Sequence, residues 1–448
     1  MFQKFSKTVL DSIRWLSQGR SSTAATLQTL LTRVFILAIN MATGIITARV
    51  LAPLGRGEQA AMGLWPQFLA YAMTLGLPSA LLYNLKRHPD KKSEMFSAAL
   101  VLGTAMGLVA TLTGIIFIPS WLNQYSTEVI QEAQWLMLTA PLALLTVTFT
   151  AALEADNNFA TANQVRYLPP LLTLVTLGVL ALTQTLTPLT STLAYLLSGI
   201  PIFFWMLGQL WNRFHPRWYG IGKYYKPLLS YGLRSYGIDL LGTLSGQVDQ
   251  ALIVGLLPPA SMGLYVIALS LSRMLGVFHS SIVTVLFPKT AARPVAEVVD
   301  LTGRAARVSL AFILLVAVAA IILGPMFLGL LYGSKYMGAV PVFRILVIES
   351  VISNTAWILI QAFMALGKPG TVTILQGIAL GLTVPLLLVF IPAYGLLGAG
   401  LALLCSSTVR AISALVCYPL VLKVRPPGLI MTREDLYFIL DKFNLNKT

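Results

Sequence analysis

The stretch TRVFILAINMATGIITARVLAPLGRGE, Thr32 to Glu58, decides how the chain folds. It is apolar enough to cross a bilayer, yet Arg33 lies inside it and Arg49 near its end. Thr29, Arg33, Ile36, Asn40, Thr43 and Thr47 return to one helix face at steps of four and three, as a 3.6-residue turn requires. The opposite face, with Val34, Leu37, Met41 and Ile45, is hydrocarbon. A membrane helix with one polar stripe turns it toward a bundle interior or a watery cavity.

The same stripe returns at an offset of 206 residues, in SYGIDLLGTLSGQVDQALIVGLLPPASMG. Ser235, Asp239, Gly242, Gly246 and Asp249 take the equivalent places, and Leu51, Pro53 and Gly57 meet Leu257, Pro259 and Gly263. Two copies of one helical unit are a common way to build a transporter.

Working outward, charged residues make up 10% of the chain and hydrophobic ones 56%, against about 25% charged in soluble domains, and the mean hydropathy is +0.78. The chain is therefore expected to be an all-α polytopic membrane protein. Apolar runs fall at 27–52, 60–85, 95–118, 135–153, 168–186, 190–211, 228–257, 262–286, 308–331, 340–366, 371–391 and 396–422. They predict twelve transmembrane helices in two six-helix lobes related by an internal parallel repeat. The expected division is an interfacial amphipathic helix at 1–20, an N-lobe at 21–211, a linker at 212–227, a C-lobe at 228–422 and a tail at 423–448. In the tail, Thr432-x-x-Asp435 precedes a second short amphipathic helix.

The net charge of +15 does not point to nucleic acid, because the basic residues cluster on one side of the spans. Of 31 Lys and Arg, 23 fall in the segments on the side of the termini, two (Arg56 and Lys335) on the other, and six inside spans. The positive-inside rule then places both termini in the cytoplasm. Cys405 and Cys417 sit in one predicted helix, about 18 Å apart along its axis, beyond the ~7 Å reach of a disulfide. There is no phosphate-binding G-x-x-x-x-G-K-[ST] loop and no metal-ligand spacing.

The charges within spans carry the chemistry. An Arg or Asp at the bilayer centre costs about 2.5–3.5 kcal/mol on insertion scales, so such residues mark substrate or ion paths. At 1.5 Å per residue, Asp249 lies about 15 Å below Pro259, near the midplane, with Glu349 at similar depth. Arg273 and Arg410 lie deeper, and Arg33 and Asp239 approach the inner face. Arg49, Arg234 and Arg344 sit near helix ends, where snorkelling accounts for them. The candidate substrate-binding residues are Arg33, Arg273, Asn40, Thr43, Gln67 and Tyr71: guanidinium groups for a phosphate, hydroxyls and amides for a sugar. Asp249 and Glu349 are the candidate ion-coupling pair, with a proton as the expected ion. Arg33 and Asp239, 206 residues apart and opposite in charge, are the candidate inner gate.

The segment ARVLAPLGRGEQAAMGLWPQFLAYAMTLGLPSALLY, residues 48–83, resembles the polysaccharide-transporter branch of the multidrug/oligosaccharidyl-lipid/polysaccharide exporter superfamily. VDQALIVGLLPPASMGLY, residues 248–265, is similar to the seventh-helix exit of that branch. The resemblance implies a flippase carrying an undecaprenyl-diphosphate-linked oligosaccharide across a bacterial inner membrane by alternating access, with a cationic cavity between two lobes. Arg33 matches the first-helix arginine of such cavities, and Asp239 and Asp249 fall on the helix where some relatives hold an ion. The eleventh helix carries no acidic residue, unlike sodium-coupled lipid II flippases, which argues against sodium. No cofactor is expected; the partners would be the lipid-diphosphate-linked oligosaccharide and membrane lipids. The chain is expected to act as a monomer, with polysaccharide assembly proteins as candidate partners. Two rivals are a cation-coupled multidrug antiporter, which wants an acidic cavity, and a membrane glycan polymerase or ligase. The latter needs acid, base or phosphate chemistry in an outside loop, and SWLNQYSTEVIQEAQ offers no Arg, Lys or His.

Overall fold

The computed structural model describes the backbone of residues 22–276, 290, 293–431 and 435, with side chains from residue 35 onward except 238 and 239. Among these residues the regular structure is all helix. The expected amphipathic helices at 1–20 and 432–443 lie outside the described residues, Asp435 excepted. In chain order the helices are α1 Ser22–Ala72, α2 Leu77–Arg87, α3 Lys92–Trp121, α4 Thr127–Leu136, α5 Ala140–Ala155, α6 Phe159–Leu182 and α7 Pro188–Leu197. They continue with α8 Ile200–Phe214, α9 Gly222–Leu256, α10 Pro259–Arg273, α11 Val295–Phe327, α12 Val340–Ala365, α13 Pro369–Tyr394 and α14 Leu396–Cys417.

Nine stretches among the described residues are long and apolar enough to cross a membrane. The expected first span and the start of the second run together as Phe35–Ala72, and the seventh contributes only the shorter apolar stretch Leu240–Leu256. The eighth span runs out of the described residues after Gly276.

The breaks follow local chemistry. Within α1 the backbone leaves helical geometry at Ala52 (φ 56°, ψ 179°), the residue before Pro53, where a proline ring disfavours the α region. The second span therefore begins at Pro53, not near residue 60, and Arg56 is part of a helix, not of the outside loop expected for it. The helix stops at Ala72 and restarts at Leu77 after Gly76, whose φ of 70° suits glycine. The close succession of the fifth and sixth spans is resolved by a capping box, in which Thr187 and Thr190 satisfy one another's backbone N–H groups. The linker is shorter than expected: α8 runs through Phe214 and α9 starts at Gly222.

Helices α1–α8 pack mainly on one another, as do α11–α14, while α9 and α10 run along the seam and touch both groups. The N-lobe core holds the stacked rings of Phe149 and Phe203 with Phe96 and Phe214 beside them. Helix α3 turns Gly107 onto Pro141 of α5, where a Cβ would stand 2.4 Å from the proline Cα. Lipid offers helices no hydrophobic reason to associate, so this close van der Waals contact does the joining.

The seam is built the same way, and reciprocally. A Cβ on Gly57 would lie 1.7 Å from the Pro259 carbonyl oxygen, and one on Gly263 would lie 1.9 Å from that of Pro53. Each copy of the Pro-x-x-x-Gly exit thus seats its glycine on the other copy's proline, the reciprocity that a two-fold relation produces. At the same end Arg49 Nε and Nη2 donate to the carbonyls of Leu331 (2.8 Å) and Leu330 (2.5 Å), and the Tyr336 hydroxyl donates to the Ala48 carbonyl (3.2 Å). Arg49 does not merely snorkel: it satisfies carbonyls left over where a helix ends. The two groups of helices are therefore tied shut at the Pro53–Pro259 end. Closer to the linker, Gly76 and Gly232 also meet, a Cβ on Gly76 falling 2.2 Å from the Gly232 oxygen.

Gly57→Ala is expected to force this end apart at a cost of about 1–3 kcal/mol, the usual range for overpacking. Reaction of a cysteine placed at Ala60 with a membrane-impermeant thiol reagent should rise several-fold in the Gly57→Ala background. Gly377→Ala, where a Cβ meets nothing within 4 Å, should change nothing.

Candidate functional site

Once α1 restarts at Pro53, it presents Arg56, Ala60, Gly63 and Gln67 on one face, at steps of four, three and four. All four line a cavity of about 350 Å³ between the lobes. Across it stand Thr243, Gln247 and Gln250 of α9 and Arg273 of α10, with Tyr195 of α7 at its side. Two pairs of lining residues, Ala60 with Val266 and Gln67 with Arg273, are equivalent at the 206-residue offset. The described lining contains two arginines, amides and hydroxyls, and no carboxylate. Arg56 is 8% exposed and donates to the Gln59 side-chain oxygen, while its Nε and the Gln247 Oε1 have no protein partner. Buried polar atoms left open in this way call for water or a ligand.

A second cavity of similar volume, about 350 Å³, adjoins the first inside the C-lobe. Gly242, Gly246 and Arg273 border both. It holds Asp249 of α9, Glu349, Ser353 and Asn354 of α12, Gln376 of α13, and Ser407 and Arg410 of α14. Asp249 is 2% exposed; its Oδ2 accepts from the Tyr265 hydroxyl at 2.5 Å and its Oδ1 has no protein partner. Glu349 Oε1 accepts from Ser407 Oγ at 2.5 Å, and Arg410 Nη2 donates to Ser353 Oγ at 2.5 Å. Arg273 Nη2 donates to the Gly246 carbonyl at 3.1 Å, which holds the guanidinium at the wall between the two cavities. Among the described residues, neither carboxylate lies within 4.0 Å of Arg273 or Arg410 as a direct ion pair. Two acids and two bases share one buried space, with room between them for water or a small cation.

The expected residues are dispersed accordingly. Gln67 and Arg273 meet in the central cavity; Asp249 and Glu349 meet in the C-lobe cavity. Tyr71 lies one turn past Gln67 in a separate N-lobe groove of about 480 Å³, with Ser79, Thr146, Thr150 and the Glu154–Arg166 pair. Thr43 is 2% exposed and spends its hydroxyl on the Asn40 carbonyl, while Asn40 itself is exposed and borders none of these cavities. The side chains of Arg33 and Asp239 lie outside the described residues, so the expected gate does too.

Two participants are not among the expected site residues. Arg56 enters from a helix where the apolar runs predict a loop, although the Arg56–Ala60–Gly63–Gln67 periodicity leads back to Pro53. Arg410 joins from α14, and nothing in that helix alone shows that it shares a cavity with Glu349 of α12.

The family described as "polysaccharide biosynthesis protein" matches residues 46–341. No curated protein matches. Among solved structures, the lipid II flippase MurJ in an inward closed conformation superposes with a TM-score of 0.76 at 16% identity, over 88% of this chain and 87% of that one. An inward-facing multidrug resistance MATE family transporter of the MOP superfamily gives 0.67 at 16% identity, over 86% and 96%. A MOP superfamily transporter from Pyrococcus furiosus gives 0.60 at 16% identity, over 90% and 96%. With a match spanning both copies of the Pro-x-x-x-Gly exit and both sides of the central cavity, the chain is a multi-pass membrane protein that belongs to the polysaccharide biosynthesis protein family and has the MOP transporter fold.

Proposed function

We propose that this protein is a flippase for an undecaprenyl-diphosphate-linked oligosaccharide, acting in a bacterial inner membrane with both termini in the cytoplasm. One observation carries the reading: the described lining of the central cavity is cationic and amide-rich, with Arg56 and Arg273 and no carboxylate. Two guanidinium groups suit a diphosphate, and Gln59, Gln67, Gln247 and Gln250 suit sugar hydroxyls. A carrier of cationic drugs would need the opposite polarity there. The Pro53–Pro259 end, which the charge bias makes the outer one, is closed, and Gly76 meets Gly232 toward the cytoplasmic side, so the central cavity is held between two contacts across the seam.

The carboxylates sit apart from the cargo space, in the C-lobe cavity, and we assign them to proton coupling. Asp249 and Glu349 lie in contact with hydroxyl donors, not with arginines, so each can exchange a proton without first breaking an ion pair.

Three outcomes check these assignments. In proteoliposomes loaded with a prenyl-diphosphate-linked oligosaccharide, Arg273→Ala is expected to slow flipping by about 10–100-fold. That is the equivalent of about 1.5–3 kcal/mol for a hydrogen bond to a charged group. Arg410→Ala, in the other cavity, should be milder. Normal flipping by the Arg56→Ala, Arg273→Ala double variant at matched abundance would remove the basis of the flippase reading. An inward pH gradient should alter flux in the wild type but not in Asp249→Asn or Glu349→Gln; a response to sodium alone would count against proton coupling. Finally, a cysteine at Trp218, in the linker, should react with impermeant reagents only in inverted vesicles; labelling in intact cells would reverse the topology.

A further inference from the structure

The C-lobe cavity holds more than its two carboxylates. Ser350, Ser353, Asn354, Gln376 and Ser407 line it beside Asp249 and Glu349, each with a side-chain oxygen. Hard cations take such oxygen ligands. Asp249 is 2% exposed and its Oδ1 has no protein partner, so one ligand atom is left open. The site nevertheless brings positive charge of its own. Glu349 and Ser353 lie one turn apart on α12, and Ser407 and Arg410 one turn apart on α14. The two helices exchange contacts crosswise: Ser407 Oγ donates to Glu349 Oε1 at 2.5 Å, and Arg410 Nη2 donates to Ser353 Oγ at 2.5 Å. Arg410 is therefore held about one turn, ~6 Å, along α12 from the carboxylate, and its buried Nε has no protein partner. Glu349 is within electrostatic reach of both Arg410 and Arg273. With both carboxylates ionised, the acids and arginines of the cavity sum to zero charge.

We propose that Arg410 sets the ion specificity of this cavity: its guanidinium supplies the positive charge that an alkali cation would bring, and so keeps sodium from binding beside Glu349. The inference rests on the assignment of the C-lobe carboxylates to ion coupling and on nothing about the cargo. Two observations select this role. The first is charge. A free cation beside Glu349 would stand ~6 Å from a guanidinium that its own stem ties to α14. At an effective dielectric of ~20, the repulsion between two unit charges at that distance weakens binding about 100-fold. The second is the supply of ligands. The Ser353 hydroxyl, one turn from Glu349, is already taken by Arg410. A metal ion needs several oxygens at once, whereas a proton needs a single carboxylate oxygen, such as the open Asp249 Oδ1. Repulsion by Arg410 acts on both ions; the lost ligand acts on the metal alone. The residue thus leaves the cavity open to a proton and closed to sodium.

The test is saturable binding of radioactive sodium to the full chain in nanodiscs, without cargo. Arg410→Gln, which removes the charge and keeps a polar side chain, is expected to bind sodium at least about 100-fold more tightly than the wild type. Arg410→Lys, which keeps the charge, should behave as the wild type. Adding Glu349→Gln to Arg410→Gln should abolish the gain. Arg410→Leu and Arg410→Ala repeat the measurement if the glutamine variant does not fold. Wild-type sodium binding as tight as that of Arg410→Gln overturns the inference. So does an equal gain in Arg410→Lys, because charge is then not the cause, and a gain that survives Glu349→Gln, because the ion is then elsewhere. If no neutral variant gains sodium binding, or none folds even in high sodium, a free cation does not replace the guanidinium and the inference is wrong. None of these outcomes touches the flippase reading, which flux of cargo decides. Failure of the proton-coupling assignment shows separately, as flux indifferent to a pH gradient.

Discussion

Much of this structure depends on two backbone contacts that a single methyl group would forbid. Gly57 seats on the Pro259 carbonyl and Gly263 on that of Pro53, at distances no Cβ could share. Inside a bilayer the helices gain nothing by hiding apolar surface from lipid, so closeness itself must supply the attraction. Glycine supplies it, and proline starts each helix at the point where the contact is made. Arg49 and Tyr336 then add polar ties across the same end, donating to carbonyls of the opposite group. With that end fixed, and with Gly76 meeting Gly232 nearer the linker, the space between the lobes becomes a cavity held between two contacts.

Charge is partitioned around that cavity by cost. A charge in hydrocarbon is tolerated only where it meets a partner or a watery space, and here the described lining of the central space carries arginines without carboxylates while the C-lobe cavity holds both signs. Arg56 and Arg273 face the space between the lobes; Asp249 and Glu349 face the interior of one lobe. The glycines of α9, Gly242 and Gly246, leave the wall between the two spaces thin, and a Cβ on either would meet nothing within 4 Å. Arg273 stands in that wall, anchored to the Gly246 carbonyl. On its other side the same stretch borders an apolar groove with Leu271, Met274 and Leu275.

The sequence by itself determined what kind of molecule this is. Low charge and long apolar runs required membrane helices, because an unpaired backbone is not tolerated in hydrocarbon. The 206-residue offset identified the glycines and prolines that form the seam before any contact was visible. The midplane depth of Asp249 and Glu349 marked them as worth explaining, and they share a cavity. These features were legible because each follows from composition or from the period of a single helix.

What only the tertiary structure decided is which stripes meet. Thr43 lies on the polar stripe of α1, yet that part of the stripe packs inward and the hydroxyl turns back on its own helix. Tyr71 follows Gln67 by one turn, yet opens on a different groove. Arg410 joins Glu349 from a helix that alone gives no hint of it, and Arg56 enters the cavity because the chain resumes its helix at Pro53 without a loop. The periodicity of one helix sets the direction of a side chain about its own axis. The neighbour found in that direction is set by the rotation and crossing of packed helices, which arise from contacts distant in sequence, and an arginine's long stem lets its charge settle on either side of such a contact.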